Sequence, residues 1–233
     1  TSESHPIVIN SIVSSPMLAA VAENYGGVFA QTLTGFKWIW NAALDLEGAD
    51  EGTFVFGYEE ALGYSVGPAV RDKDGISAAV VFTDLAAECR MNGITVWDRL
   101  EAMYRRDGLW VSTQKSVVRP GTEGAAEIAA AMERLAASPP DTIGNVGVAE
   151  VVDFQAGAEA RPRYLPTASL VALQLADGGR VLVRPSGTEP KLKIYVDLRR
   201  ELSADESLAV VESAALRDAE SLAAVTAMSL GLG

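Results

Sequence analysis

A guanidinium, two hydroxyls, a glycine and an ammonium stand close together in the string Arg184-Pro185-Ser186-Gly187-Thr188-Glu189-Pro190-Lys191-Leu192-Lys193. These are the groups that grip a phosphate. Arginine offers a planar fork to two phosphate oxygens, Ser186 and Thr188 donate hydroxyl hydrogen bonds, Gly187 lets the backbone approach closely, and Lys193 adds a point charge. The formal net charge of the chain is -12, so a local concentration of positive groups is the more informative. The spacing of a nucleoside-triphosphate loop, glycines before a Lys-Ser/Thr pair, is absent. Spacing alone leaves a second reading open: a short loop joining two strands, with Arg184 as an ordinary surface charge.

Three further groupings could act on a polyhydroxylated ligand. In Gly57-Tyr58-Glu59-Glu60-Ala61-Leu62-Gly63-Tyr64 two carboxylates emerge where an apolar strand ends. A carboxylate accepts hydrogen bonds from two adjacent hydroxyls, which is how a sugar ring is held. Consecutive residues of an extended segment point to opposite sides, so one of the two glutamates faces the ligand. The alternative is a solvated Glu pair. In Thr32-Leu33-Thr34-Gly35-Phe36-Lys37-Trp38-Ile39, Thr34 can cap a helix and Lys37 falls in its first turn, where the helix dipole disfavours a cation unless an anion is near. The alternative is a lysine lying across Trp38 or Trp40. Arg71-Asp72-Lys73-Asp74-Gly75 precedes a long helix, and mixed-charge loops of this kind are usually just solvated. His5 sits near the start of the chain and carries no assigned chemistry, Cys89 reads as core, and no His, Cys or carboxylate cluster has metal-ligand spacing.

The elements that must position these residues alternate in the first half. Strands are expected at 7–9, 28–33 and 53–56. Helices are expected from Ser15-Pro16 to Gly26-Gly27, over 35–44, over 75–91 with Asp74 as cap and Asn92-Gly93 as stop, and from Thr95 to Gly108. The second half changes rhythm. An extended 110–118 bridges the halves. A helix over 122–137 ends at Ser138-Pro139-Pro140, strands follow near 146–152, 170–175, 180–183 and 192–198, and Asp177-Gly178-Gly179 marks a hairpin turn. Ser203 with Glu206 reads as the capping box of a last helix. The expected fold class is an α/β domain with a mixed, largely parallel sheet, then an α+β domain with an antiparallel sheet and flanking helices. The boundary lies near 110–120, giving domains 1–112 and 113–233.

Composition sets outer limits. The 233 residues, 48% of them hydrophobic, suffice for two filled cores, and no apolar run is long enough to span a membrane. A single cysteine excludes an internal disulfide and fits a reducing compartment. The acidic balance argues against nucleic-acid binding. A cytoplasmic protein with neither nucleic-acid nor membrane partners is the expectation. Residue 1 is Thr and a strand follows within a few residues, which reads as the middle of a longer polypeptide.

Residues 184–196 closely resemble the phosphate-binding loop in the last domain of the α-D-phosphohexomutases, the phosphoglucomutases and phosphomannomutases. Residues 57–64 resemble that family's sugar-recognition loop, in a register that singles out Glu59 and puts Ala61 where many relatives carry Ser. Residues 32–39 resemble its Thr-Gly-Phe/Trp-Lys motif, whose lysine reaches the phosphosugar. Residues 71–75 match a third-domain segment whose basic residues face the cleft. The resemblance implies a sugar site of Glu59, Glu60, Lys37, Lys73 and Arg71, and a phosphate site of Arg184, Ser186, Gly187, Thr188 and Lys193. It covers essentially the whole chain but only the back half of the family. The phosphoserine motif Thr-Ala-Ser-His-Asn-Pro and the Asp-Gly-Asp-x-Asp-Arg magnesium loop are missing, and Thr167-Ala168-Ser169 is a decoy. The implied protein is therefore the substrate-binding half of an enzyme that interconverts hexose 1-phosphate and 6-phosphate through a phosphoserine and a glucose or mannose 1,6-bisphosphate. No catalytic residue and no metal site fall in this chain. Mg2+ is implied for the complete enzyme, the N-terminal half is implied as partner, and the chain alone is expected to be inactive. The alternatives are a stand-alone phosphosugar-binding module and one half of a split mutase.

Overall fold

Short, mostly buried strands and local stop signals shape the first unit of the structure, a computed structural model that describes residues 4–187 and 189–233. The unit comprises Thr1–Leu109, Pro162–Leu165 and Glu201–Asp205. Its elements are β1 (Pro6–Ser11), α1 (Met17–Asn24), β2 (Val28–Thr32), α2 (Phe36–Gly48), β3 (Thr53–Glu59), β4 (Gly63–Val66), α3 (Gly75–Met91) and α4 (Val96–Asp107). The sheet runs β2-β1-β3-β4. β1 is parallel to β2 and β3, and β4 closes antiparallel onto β3 with Glu59 opposite Gly63. Ile7, Ile9 and Phe54 of the strands pack against Phe36, Ile39, Trp40, Ala42 and Ala43 of α2 to form the core. Gly57 is obligatory there: a Cβ would stand 2.7 Å from Ile39 Cγ2.

The second unit comprises Trp110–Arg161, Pro166–Arg200 and Glu206–Gly233. It contains β5 (Leu109–Val118), α5 (Gly121–Ala137), β6 (Thr142–Ile143), β7 (Val146–Asp153), β8 (Val171–Leu175), β9 (Arg180–Pro185), β10 (Lys191–Arg200) and α6 (Leu208–Ser229), in the sheet order β5-β10-β9-β8-β7-β6. Strands β7 to β10 pair antiparallel in succession. Leu192, Ile194, Val196 and Leu198 are fully buried on one face of β10, the helix-covered face, while Lys191, Lys193 and Tyr195 alternate onto the other. On that second face Arg180 and Asp197, cross-strand partners, form a buried ion pair at 2.7 Å that also takes the Ser112 hydroxyl. The observed classes, a mixed and mostly parallel sheet followed by an antiparallel sheet with helices, are those expected. No helix among the described residues is long and apolar enough to cross a membrane.

Several local expectations fail for tertiary reasons. Pro16 occupies the N-cap of α1 rather than its first turn, and Ser15 Oγ accepts from the Met17 N–H. Thr34 does not cap α2; the N-cap is Gly35, with φ of 122°, and its N–H donates to Glu59 Oε1. Ser203 does not cap the last helix: α6 begins at Leu208 with Ser207 as N-cap, while Ser203 Oγ bonds Asp205 and the Ser203 carbonyl accepts from Arg105. The extended 110–118 is β5, an edge strand of the second sheet.

Candidate functional site

The β9–β10 hairpin sets the geometry of the basic cluster. Arg184 and Lys193 are direct partners in the antiparallel register. Opposed residues of a ladder send their side chains to the same face, so the two cations share one side of the sheet at the end where the hairpin turns. Both are partly exposed. Like charges in directly opposed positions destabilise a ladder, and an anion between them reverses that sign. The turn itself is held by the Ser186 N–H donating to the Lys191 carbonyl and the Lys191 N–H donating to the Glu189 carbonyl, each at 2.8 Å. Gly187 is exposed, its φ is not left-handed, and a Cβ there would meet nothing within 4 Å. Among the described residues nothing therefore requires glycine there, which leaves the approach to the backbone open on that side. Thr188, the second hydroxyl of the sequence reading, lies outside the described residues.

The loop carries its own anion. Glu189 pairs with Lys191 at 2.6 Å, a contact that sequence reasoning did not anticipate although the two flank Pro190. The Lys191 hydrogen bond, then its charge, and more distantly the charge of Lys193, hold the Glu189 carboxyl below the usual carboxylate range. Lys193 is thus within electrostatic reach of a carboxylate before any ligand arrives.

In the first unit the residues converge at the end of β3. Glu59 is buried, with one carboxylate oxygen on the Gly35 N–H at the mouth of α2, where the helix dipole favours an anion. Glu60 turns elsewhere: its carboxylate accepts from the Ser15 N–H at 2.6 Å and its own N–H donates to Ser14 Oγ, which fastens the hairpin tip to the β1–α1 loop. The two glutamates therefore serve different loops. Lys73 Nζ lies 4.6 Å from the Phe36 ring centroid and pairs with Asp72 at 3.6 Å. Arg71 stands over Trp40, one helical turn further along α2, at 5.9 Å. Gly63 admits the Phe36 ring, since a Cβ would come within 2.6 Å of it. Glu59, Lys73 and Arg71 are so grouped about the first turns of α2. Lys37 is exposed and its Nζ lies over Trp38 at 4.6 Å, the alternative that its flanking tryptophans suggested.

A polar network beside this group was not foreseen. Asn10, fully buried at the end of β1, donates to the Ser15 carbonyl and, at 3.5 Å, to the Tyr58 hydroxyl, and accepts from Gln31. An Asn closing the apolar run Ile7-Val8-Ile9 was the available signal. Among the described residues no group of three or more His, Cys, Asp or Glu side chains could hold a metal ion. A cavity of about 740 Å³ in the second unit lies against α5 and is floored by Val171 and Pro185. It opens on the helix-covered face, opposite the one that Arg184 and Lys193 share, and its wall takes in Ser186, Glu189 and Lys191 of the hairpin turn.

A mostly parallel α/β unit with a carboxylate at its strand ends, followed by an antiparallel unit with a cationic hairpin, makes a chain of two units, one α/β and one α+β. Comparison with known proteins narrows this. The family model described as "Phosphoglucomutase/phosphomannomutase, alpha/beta/alpha domain III" matches residues 1–112, and "Phosphoglucomutase/phosphomannomutase, C-terminal domain" matches residues 90–215. The chain is similar to a probable phosphomannomutase of Haemophilus influenzae, 39% identical over 193 residues that make up 81% of this chain and 35% of the relative. It is 33% identical to a phosphoglucomutase of Staphylococcus aureus, over 84% of this chain and 36% of the relative. It also shares its fold with the open form of pp63/parafusin, a phosphoglucomutase from Paramecium, with a TM-score of 0.67, 18% identity, and coverage of 94% of this chain and 37% of that one. The chain belongs to the phosphoglucomutase/phosphomannomutase family of isomerases and comprises its third and C-terminal domains. It spans about a third of the length of the curated relatives it matches.

Proposed function

We propose that this chain is the sugar- and phosphate-binding part of a phosphosugar mutase that interconverts hexose 1-phosphate and 6-phosphate. The observation that carries the reading is the placement of Arg184 directly opposite Lys193 at the end of β9–β10, beside the open Gly187 backbone. In this role Arg184, Ser186, Gly187, Thr188 and Lys193 hold the phosphate that is not reacting. Holding the far end fixes the near end, and in phosphoryl transfer positioning of this kind supplies much of the rate. Glu59, with Lys37, Lys73 and Arg71 adding positive charge, reads the sugar hydroxyls. Glu60 is given to the β1–α1 loop and contributes by shaping the turn. The two domains divide at 112/113.

The phosphoryl donor and the Mg2+ of the complete enzyme would belong to a part of the protein outside this chain, whose residues bind and orient but transfer nothing. Bound Mg2+ would supply charge neutralisation at the transferred phosphoryl group. The reading is tested by mixing the chain with glucose 1-phosphate or mannose 1-phosphate and following the 6-phosphate. No turnover is expected; robust turnover overturns the assignment of the chemistry to absent residues. Calorimetry with the same esters reads the binding step separately.

A further inference from the structure

The residues at the end of β3 are tied, one by one, to different parts of the first unit. Tyr58 stands in a polar row across the parallel strands, where Asn10 is the register partner of both Gln31 and Tyr58. Glu59 places one carboxylate oxygen on the Gly35 N–H, and its other oxygen takes no hydrogen bond from the described residues. Glu60 accepts from the Ser15 N–H and gives its own N–H to Ser14 Oγ. Ser14 is fully buried and bonds the equally buried Ser11 hydroxyl at 2.8 Å, so this clamp ends in the interior. Topology sends the two carboxylates apart. The chain passes from β1 to β2 on one side, then from β2 to β3 on the other side of β1. Right-handed crossovers in opposite directions put α1 and α2 on opposite faces of the sheet. Adjacent residues of an extended segment also face opposite ways. Glu59 therefore meets the mouth of α2 at its N-cap Gly35, and Glu60 meets the mouth of α1 at Ser15, one residue before the N-cap Pro16. Each helix dipole favours the carboxylate it receives. The turn that follows is strained: Leu62 holds φ of 59°, a left-handed conformation that glycine or asparagine ordinarily supplies. Such a turn keeps its shape only where its surroundings impose it.

We propose that Glu60 is a positioning residue for Glu59, and that its clamp on Ser14 and Ser15 is what leaves one Glu59 oxygen set for a sugar hydroxyl. The proposal rests on the reading of Glu59 as the group that meets the sugar. Glu60 holds the strained turn against the β1–α1 loop from one face of the sheet, and Gly35 holds Glu59 from the other. Fixed on both sides, Glu59 keeps one oxygen engaged and presents the second. Without the clamp the turn relaxes, the Gly35 bond opens more often, and the carboxylate no longer stands in one place when a ligand arrives.

The test compares Glu60→Ala, Glu60→Gln and the control Glu47→Ala in the intact chain. Glu47 accepts the Phe54 N–H at the far end of β3, so its loss loosens the same strand away from the turn. The first readout needs no ligand. It is the Gly35 backbone amide by NMR, with Glu59→Ala as the reference for a lost carboxylate bond. Glu60→Ala should move that amide most of the way to its Glu59→Ala position and speed its hydrogen exchange by roughly 10-fold. Glu60→Gln, which keeps an acceptor oxygen for Ser15, should restore most of the shift, and Glu47→Ala should leave it in place. A Gly35 amide unmoved in Glu60→Ala, or moved as far by Glu47→Ala, overturns the proposal. The second readout is calorimetry. Glu60→Ala should weaken glucose 1-phosphate by roughly 10-fold, the worth of one hydrogen bond, and leave inorganic phosphate unchanged. Equal weakening of both ligands overturns the proposal. An unsubstituted chain that does not distinguish glucose 1-phosphate from inorganic phosphate would count against the sugar reading of Glu59, and the Gly35 amide would still decide the role of Glu60.

Discussion

Replacing Lys193 with Met should make the unliganded protein more stable and its phosphate complex weaker. The two effects have one cause. Lys193 and Arg184 are opposed in the ladder, and like charges so placed cost roughly 0.2–1 kcal/mol relative to a neutral pair. Methionine keeps the apolar stem and removes the ammonium. For a protein of about 150–250 residues each kcal/mol shifts Tm by roughly 2–4 °C, so a rise of up to about 4 °C, reduced by the lost attraction between Lys193 and Glu189, is expected without ligand. With a sugar phosphate at about 100 times its Kd, the unsubstituted chain gains about 2.7 kcal/mol by mass action, equivalent to about 5–11 °C. Loss of one charge-assisted contact, about 1.5–3 kcal/mol, weakens binding by about 13- to 160-fold and cuts the gain at the same ligand concentration to about 0.3–1.3 kcal/mol. Differential scanning fluorimetry at fixed ionic strength, with and without glucose 1-phosphate, reads both quantities. A variant that melts lower and keeps the full ligand shift refutes the reasoning.

Other outcomes follow from the same geometry. Asp197→Ala strands Arg180 in the interior and should cost about 3–5 kcal/mol in urea unfolding, whereas replacing both partners with apolar residues should cost far less. Gly57→Ala forces a methyl against Ile39, itself fully buried, and should destabilise by about 1–3 kcal/mol in the same assay. Glu189→Gln removes the carboxylate nearest the cluster and should tighten phosphate binding, as calorimetry will show. The Arg106 hydrogen bond, with its charge and the Asn24 amide, lowers the Asp107 carboxyl, and the Arg163 hydrogen bond does the same for Asp45. Groups depressed in this way stabilise the fold above the ordinary aspartate value near 3.8 and lose that contribution as pH falls through the depressed one. Unfolding midpoints should therefore be insensitive to these pairs from neutrality down to about pH 5 and decline below about pH 4, less steeply in Asp107→Asn.

Local signals were the legible ones. Asp74 caps α3 by accepting from the Ile76 and Ser77 N–H groups, Thr95 and Asp98 close a full capping box on α4, and Gly178 turns the β8–β9 hairpin with φ of 84°, all within a few residues of the sequence that specifies them. The strand-loop-strand form around Arg184 was equally local, and the pairing of Arg184 with Lys193 follows from the length of the loop between them. What sequence could not supply was the distant competitor. The N-terminus of α2 takes its acceptor from Glu59 across the sheet and not from Thr34 beside it. Ser203 meets Arg105 and Asp205, and α6 starts four residues later, from Ser207. Lys37 had two readings in sequence, and its packing on Trp38 depends on a rotamer that no pattern records. The division of labour between Glu59 and Glu60 was half visible: alternation separates them, but Ser14 and Ser15 as the partners of Glu60 come from another strand's loop.

The central claim, that the face shared by Arg184 and Lys193 clasps the dianionic end of a sugar ester, is tested most directly by an amide-resolved NMR titration of this chain with glucose 1-phosphate into the millimolar range. Saturable shifts are expected at Ser186, Gly187 and Lys193, abolished by Arg184→Ala and reproduced in part by inorganic phosphate. Shifts that spare the hairpin, or that survive Arg184→Ala unchanged, contradict the account.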